Sequence, residues 1–353
     1  MGILRKIVKN LLPYYFVKKY ELYTGGTLIS EDYSSIKSDI GKIKNEQTEQ
    51  LISLCEVDPG FMPGAFYSPI PSISEVKEFI FDSLKTETSP IELNLAVAVG
   101  SPPRWKLKTE TLPAIELNPS KQLKLLDTFE RFYQELPFTD KKREDIRYYY
   151  NNGSYSYSDA IILYSMIRHL KPGSIIEVGS GFSSSVMLDT NELFMDNQIS
   201  FTFIEPYPQL LESLLIKDDR KNVTIYEKRL QEIPMTVFKE LRENDILFID
   251  STHVAKFNSD VNYAIHNILP SLAGGVYIHF HDIFYPFEYP LDWLLEGRAW
   301  NEQYMLRAFL EYNKAFEVVM FNTYLTEMYE ATIKNRFPLL YKNTGGSIWI
   351  KKL

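Results

Sequence analysis

Ser174-Ile175-Ile176-Glu177-Val178-Gly179-Ser180-Gly181-Phe182-Ser183-Ser184 is an apolar run that carries an acid near its end and then places glycines on alternate positions. It predicts a buried strand over 174–178, a tight turn and a helix start, which is how open α/β sheets build a nucleotide-sized crevice. Glycine lets backbone approach a ligand closely, and the serines offer hydroxyls and a cap for the following helix. Working outward, two more acid-tipped apolar runs follow in order: Phe201-Thr202-Phe203-Ile204-Glu205 and Ile246-Leu247-Phe248-Ile249-Asp250. Further strands are expected at 222–226 and 275–280, with helices between, so the pattern is that of a parallel sheet with helices on both faces. Two late runs, 316–321 and 346–351, suit an antiparallel end to that sheet, joined by helical residues 325–334. Upstream, helices are expected over 119–136, capped near Asn118, and over 158–170, stopping before Lys171-Pro172-Gly173.

The turn is not that of a dinucleotide site. Such sites use G-x-G-x-x-G, whose third glycine allows close helix–strand packing; Ser184 stands there. Glu177 is a poor neighbour for a pyrophosphate and a good one for a ligand with an ammonium and a sulfonium. Glu205, 24 positions after Gly181, is placed to accept both ribose hydroxyls. These features favour S-adenosylmethionine (SAM), with Glu177, Gly179, Ser180, Gly181, Ser183, Glu205 and Asp250 as its candidate contacts.

On those residues the segment from about Tyr155 to Leu353 resembles the class I SAM-dependent methyltransferases. More narrowly it resembles bacterial methyltransferases that accompany surface-polysaccharide and sugar-modifying enzymes. The narrower likeness is carried by Glu177–Ser184, Phe248-Ile-Asp-Ser-Thr-His253, His279-Phe-His-Asp-Ile-Phe284, Tyr289-Pro290, Trp293 and Trp300-Asn-Glu-Gln-Tyr304, and upstream by Pro63–Pro71 and Ser158-Asp-Ala160. One departure is Ala65, where such relatives are expected to have a histidine. The resemblance implies a Rossmann-like, mostly parallel seven-stranded α/β sheet over 151–353, preceded by a helical and irregular extension over 21–150. It also implies transfer of a methyl group to a hydroxyl of a sugar or sugar-bearing glycan precursor.

Composition fits an enzyme of this kind. A chain of 353 residues with 45% hydrophobic content can bury a sizeable core, and a net charge of −8 argues against a nucleic-acid partner. The single cysteine, Cys55, excludes an intrachain disulfide and suits the cytoplasm. The first twenty residues break the acidic trend: Arg5, Lys6, Lys9, Lys18 and Lys19 occur there with no acid, beside apolar residues at helical spacing. Residues 1–20 therefore read either as a peripheral contact with the inner face of an anionic membrane or as an amphipathic helix packed on protein.

Three of the five histidines fall at predicted carboxyl ends of strands: His253, His279 and His281. A sugar hydroxyl needs a general base within hydrogen-bond reach; His253 is the first choice, His281 the second, with Asp250 or Asp282 to orient the imidazole. A neutral imidazole is expected near pH 7. Asp250 and Asp282 also resemble two magnesium-holding positions of catechol-type O-methyltransferases, and Mg2+ would act there as a Lewis acid. Ile283 departs from that pattern, where those enzymes supply an amide. Tyr155, Tyr157, Tyr289 and Trp293 are candidates for an acceptor pocket, because aromatic faces suit sugar C–H faces; Asn301 and Glu302 are candidates for acceptor hydroxyls. Two other readings stay open. One is a metal-dependent oxygenase with iron on His253, His281 and Asp282; the other is a catalytically silent binding module at the membrane.

Overall fold

The computed structural model describes residues 111–216, 219–290, 293–294 and 298–353. The basic segment 1–20 and the extension up to residue 110, with Pro63–Pro71 and Ala65 in it, lie outside the described residues. Leu107–Glu288 together with Trp300–Leu353 form one compact unit, and Tyr289–Ala299 belongs to a second, described by itself.

Among the described residues, seven strands form one sheet: β1 (Ser174–Val178), β2 (Ser200–Ile204), β3 (Val223–Tyr226), β4 (Ile246–Ile249), β5 (Tyr277–His281), β6 (Phe316–Phe321) and β7 (Ser347–Lys352). Their order is β3-β2-β1-β4-β5-β7-β6. The first five strands run parallel; β7 inserts antiparallel between β5 and β6. The expected α/β class and the antiparallel end are both present. β4 is buried along its whole length, which is why its sequence is a continuous apolar run and does not alternate.

The α-helices among the described residues include α1 (Pro119–Tyr133), α2 (Tyr157–Leu170), α3 (Phe182–Phe194), α4 (Gln209–Leu214), α5 (Met235–Lys239), α6 (Asp260–Tyr263), α7 (Glu302–Leu310), α8 (Asn322–Met328) and α9 (Glu330–Arg336). α6 continues through a π-helical stretch, Ala264–Ile268, to a last turn at Leu269–Ser271. α2 ends at Lys171 in a left-handed conformation (φ 52°), before Pro172 forbids further helix. The helix expected as one piece over 325–334 is two, α8 and α9, because Tyr329 leaves helical geometry at φ −121°. Asn118 does precede α1, but its side chain does not cap the helix: its amide donates to the carbonyls of Glu116 and Val318. No helix among the described residues is long and apolar enough to cross a membrane.

Register brings the site together. Val178 pairs with Ile204 and Ile249, and Ile249 pairs with Phe280, so β1, β2, β4 and β5 finish side by side. Gly179 N–H then donates to Ile204 O (3.0 Å), and Asp250 N–H to Val178 O (2.9 Å). Gly179, Glu205, Asp250 and Asp282 thus emerge at one carboxyl edge, where open α/β sheets bind ligands.

Candidate active site

The turn after β1 needs glycine for a local reason. Gly179 has φ +80°, and a Cβ on it would lie 1.8 Å from the carbonyl oxygen of Asp250. The first glycine is therefore required by the neighbouring strand as well as by any ligand. Glu205 is partly exposed and accepts from Ser180 N–H (3.1 Å) and Tyr207 N–H (2.8 Å). A carboxylate has about four acceptor positions, so two remain for ribose hydroxyls. Ser180 Oγ is buried without a hydrogen-bond partner among the described residues, an orphan that a bound ligand at this turn can satisfy.

Glu177 lies deeper than its position in the motif suggested. It is fully buried, and its two oxygens accept from Ser183 Oγ (2.5 Å) and Ser184 Oγ. Burial pushes its carboxyl up to about 8, against the two serine hydroxyls, with Asp250 and Glu205 raising it further. Those last two causes place the Asp250 and Glu205 carboxylates beside a Glu177 that holds its proton, so the negative charge offered to a sulfonium and an ammonium is theirs.

Beside it lies an enclosure centred on His253. Its Nε2 is 3.3 Å from Asp250 Oδ1 and 3.5 Å from Asp282 Oδ2, and its Nδ1 is 2.8 Å from Glu302 Oε2. His253 and Asp282 both have left-handed backbones, at φ 59° and 56°. This region is uncommon outside glycine, although His and Asp adopt it more readily than bulky residues, and here it turns the two side chains toward one point. The start of α7 holds the loop: Asn301 N–H and Glu302 N–H both donate to His253 O (3.0 and 3.1 Å). Asn301 Oδ1 accepts from Ala255 N–H at 2.6 Å, and its amide donates to Ala255 O at 3.2 Å. Trp300 covers the imidazole, ring centroids 4.3 Å apart. From the other side, Asp260 accepts from Thr252 N–H and Oγ1 at 3.0 and 2.6 Å.

Burial pulls the His253 imidazole down, but its hydrogen bonds to Asp250 and Glu302 outweigh that and hold its pKa well above the ordinary value. The expectation of a neutral imidazole near pH 7 is corrected here: three carboxylates around one ring favour the imidazolium. Burial raises both acids, yet His281 and His253 bring Asp250 below its ordinary value, whereas Asp282 ends above it.

His279 and His281 do project to one side of β5, rings 6.0 Å apart, but they differ. His281 Nε2 is 3.6 Å from Asp282 Oδ1; burial lowers it, and Asp282, Asp250 and Asp159 raise it above normal. His279 is fully buried against Phe248 (4.0 Å, stacked), and burial drives its pKa well below normal. The iron triad of the alternative oxygenase reading, His253, His281 and Asp282, is not the set that converges. The three-ligand group among the described residues is Asp250, His253 and Asp282, whose ligand atoms lie within 4.8 Å of one another.

The aromatic candidates fare less well. Tyr155 is buried beside His281, ring centroids 5.1 Å apart, with its hydroxyl donating to Asp159 O. Tyr157 stacks on Tyr150 at 4.4 Å and donates to Asp140. Both are packing residues rather than open pocket walls. Tyr289 and Trp293 lie in the second unit, where their rings are 6.4 Å apart and Arg298 covers Trp293 at 4.2 Å. Asn301 and Glu302 are engaged by the His253 loop, as above. Sequence reasoning missed Trp300 as a cover on His253, and it missed Tyr207 (75% exposed) and Phe257 (97% exposed) on carboxyl-edge loops. An aromatic in a polar stretch just after a strand-end acid was the available signal.

A family model described as a methyltransferase domain matches residues 176–283, from the strand that carries Glu177 to the residue after Asp282. A protein of Archaeoglobus fulgidus, itself uncharacterized, is 32% identical over 198 residues, covering 54% of this chain and 78% of the relative. The chain is a SAM-dependent methyltransferase. Solved structures similar to this methyltransferase include the S-adenosylhomocysteine-bound methyltransferase PaMTH1 of Podospora anserina (15% identity, 68% of this chain and 90% of that one, TM-score 0.37). A methyltransferase from Geobacter sulfurreducens (12%, 65% and 90%, 0.32) and a CmcI structure named for Mg and SAM (17%, 76% and 99%, 0.34) are others. With TM-scores below 0.5, these likenesses add nothing to the assignment.

Proposed function

We propose that this methyltransferase acts on oxygen, transferring the methyl group of SAM to a hydroxyl of a sugar or of a sugar-bearing glycan precursor. The observation that carries the reading is the His253 enclosure: an imidazole held between strand-end acids, one loop away from the glycine turn. At a pH above the raised value of His253, where the ring is neutral, the acceptor O–H proton passes to His253 Nε2, the O–CH3 bond forms as the S–CH3 bond breaks, and S-adenosylhomocysteine leaves. A poor nucleophile such as a sugar hydroxyl needs that base, and in-line positioning supplies much of the remaining acceleration. His281, one position before Asp282, is the second choice.

The two carboxylates of Asp250 and Asp282 suit Mg2+. A cation that also took His253 Nε2 would use the lone pair the base needs, so in this reading the carboxylates alone would hold it and Nε2 stays free. When bound, the cation would supply Lewis-acid polarisation of the acceptor hydroxyl. The sugar class is supported by the sequence resemblance and by the exposed rings of Tyr207 and Phe257 at the carboxyl edge. In this reading the protein works in the cytoplasm, with residues 1–20 as its contact with the inner membrane face.

The test is transfer of labelled methyl from SAM to a panel of nucleotide sugars, with and without Mg2+, for the wild type and His253→Gln. The expected result is methylation of one sugar class, reduced about 10²- to 10⁴-fold in His253→Gln, while calorimetry shows SAM binding retained. Full activity of His253→Gln ends its role as base. SAM binding without transfer to any hydroxyl favours the silent module, and oxygen-dependent turnover with added iron and no SAM favours the oxygenase.

A further inference from the structure

Glu302 is among the least exposed acids of the described residues, at 1%, yet it is the first residue of a helix that starts at the edge of the site. A buried carboxylate needs a partner. Its partner is His253 Nδ1 at 2.8 Å, across 49 positions of sequence, and Ser251 Oγ stands at 3.4 Å from its second oxygen. The Glu302 contact at Nδ1, 2.8 Å, is shorter than those at Nε2, 3.3 Å to Asp250 and 3.5 Å to Asp282, so when the imidazolium gives up one proton Nδ1 is the nitrogen that keeps its own. The same four residues, Trp300 to Gln303, also grip the neighbouring loop, since Gln303 Oε1 accepts from Phe284 N–H at 3.2 Å, two residues after Asp282. One short stretch thereby indexes both acid-bearing loops against each other.

We infer that Glu302 is a positioning residue, which fixes the His253 ring and keeps a proton on Nδ1 so that Nε2 faces the acceptor. This rests on the reading of His253 as the base. It replaces the expectation that Glu302 binds acceptor hydroxyls. Ring orientation and tautomer are what a carboxylate behind a catalytic imidazole secures, and their loss falls on kcat.

The experiment uses the full-length protein labelled with 15N-histidine and saturated with S-adenosylhomocysteine, together with steady-state transfer kinetics. In the wild type, at a pH above the His253 titration, a hydrogen-bonded Nδ1–H proton beside an unprotonated Nε2 is expected at His253, assigned by its disappearance in His253→Gln. An unprotonated Nδ1 overturns the inference without any variant of Glu302. Glu302→Gln is expected to lose or shift that resonance and to lower kcat about 10²-fold or more, with KM for the acceptor and affinity for SAM unchanged. In the His253→Gln background the same substitution is expected to add no further loss, because Glu302 acts through the imidazole. Equal losses in both backgrounds would mean a purely structural role, and a raised acceptor KM with kcat intact would restore the acceptor-binding role; either overturns the inference. If Glu302→Gln does not fold, Glu302→Asp takes its place and is expected to retain the resonance with a smaller loss of kcat. Full turnover in His253→Gln would end the base reading alone, and the Nδ1 resonance would still decide the position of Glu302.

Discussion

A base works only when deprotonated, and the carboxylates around His253 hold its pKa well above the usual histidine value. Activity should therefore be lost as pH falls through that raised value, so the acid limb of kcat/KM lies above about pH 6.5. Asp250→Asn removes one of the stabilising hydrogen bonds and should move the limb to lower pH; an unmoved limb assigns it to another group. Glu177 titrates in the opposite thermodynamic sense to an ordinary paired acid. Its folded-state carboxyl is raised from 4.5 to about 8, so between those values the native state holds a proton that the unfolded chain has released. Stability is fully present below about pH 4.5 and declines as pH rises toward about 8, by roughly 4–5 kcal/mol as an upper bound. Glu177→Gln should flatten that decline in the ligand-free protein, which thermal unfolding between pH 5 and 8 measures directly.

At the level of elements, the contact between the ends of β1 and β4 is the least forgiving part of the fold. A methyl group on Gly179 would overlap the Asp250 carbonyl and would sit on a left-handed backbone. Gly179→Ala should cost about 3 kcal/mol from overpacking and strain together, seen as a lower midpoint in urea, with loss of SAM binding. Arginine at the same position would confound folding with binding, so Glu205→Ala is the cleaner probe of the cofactor. The strands at 174–178, 201–205 and 246–250 were legible because apolar runs with an acid at or near the end admit few other readings, and 316–321 because it is rich in Phe and Val; 174–178 and 316–321 were located to the residue. The histidines at the edge were legible for the same reason. What could not be read was which side chains face each other: nothing near His253 in sequence announces Glu302, and aromatic content alone cannot separate the buried Tyr155 and Tyr157 from the exposed Tyr207 and Phe257. Both are matters of tertiary burial, which local pattern does not encode.

For the whole molecule, the net charge of −8 and the Asp250 carboxylate at the sheet edge favour a cationic ligand over its neutral product. SAM should bind more tightly than S-adenosylhomocysteine at low ionic strength, and the difference should shrink with added salt. SAM at about 100 times its Kd should stabilise the protein by about 2.7 kcal/mol, raising the melting temperature. In Glu205→Ala the shift at the same concentration should fall or vanish; an unchanged shift would remove Glu205 from the cofactor site.

The strand that bears His279 and His281 has β7 as its neighbour on one side, with Trp349 opposite His279 and Ser347 opposite His281. During synthesis this neighbour emerges some seventy residues later than β5. Until then a growing chain presents the histidine strand as a bare edge, and bare edges recruit other strands. Translation must therefore reach residue 352 before the sheet can close. Stopping it after Gly346 should give an aggregating product with no cooperative melting transition, rather than a shortened enzyme.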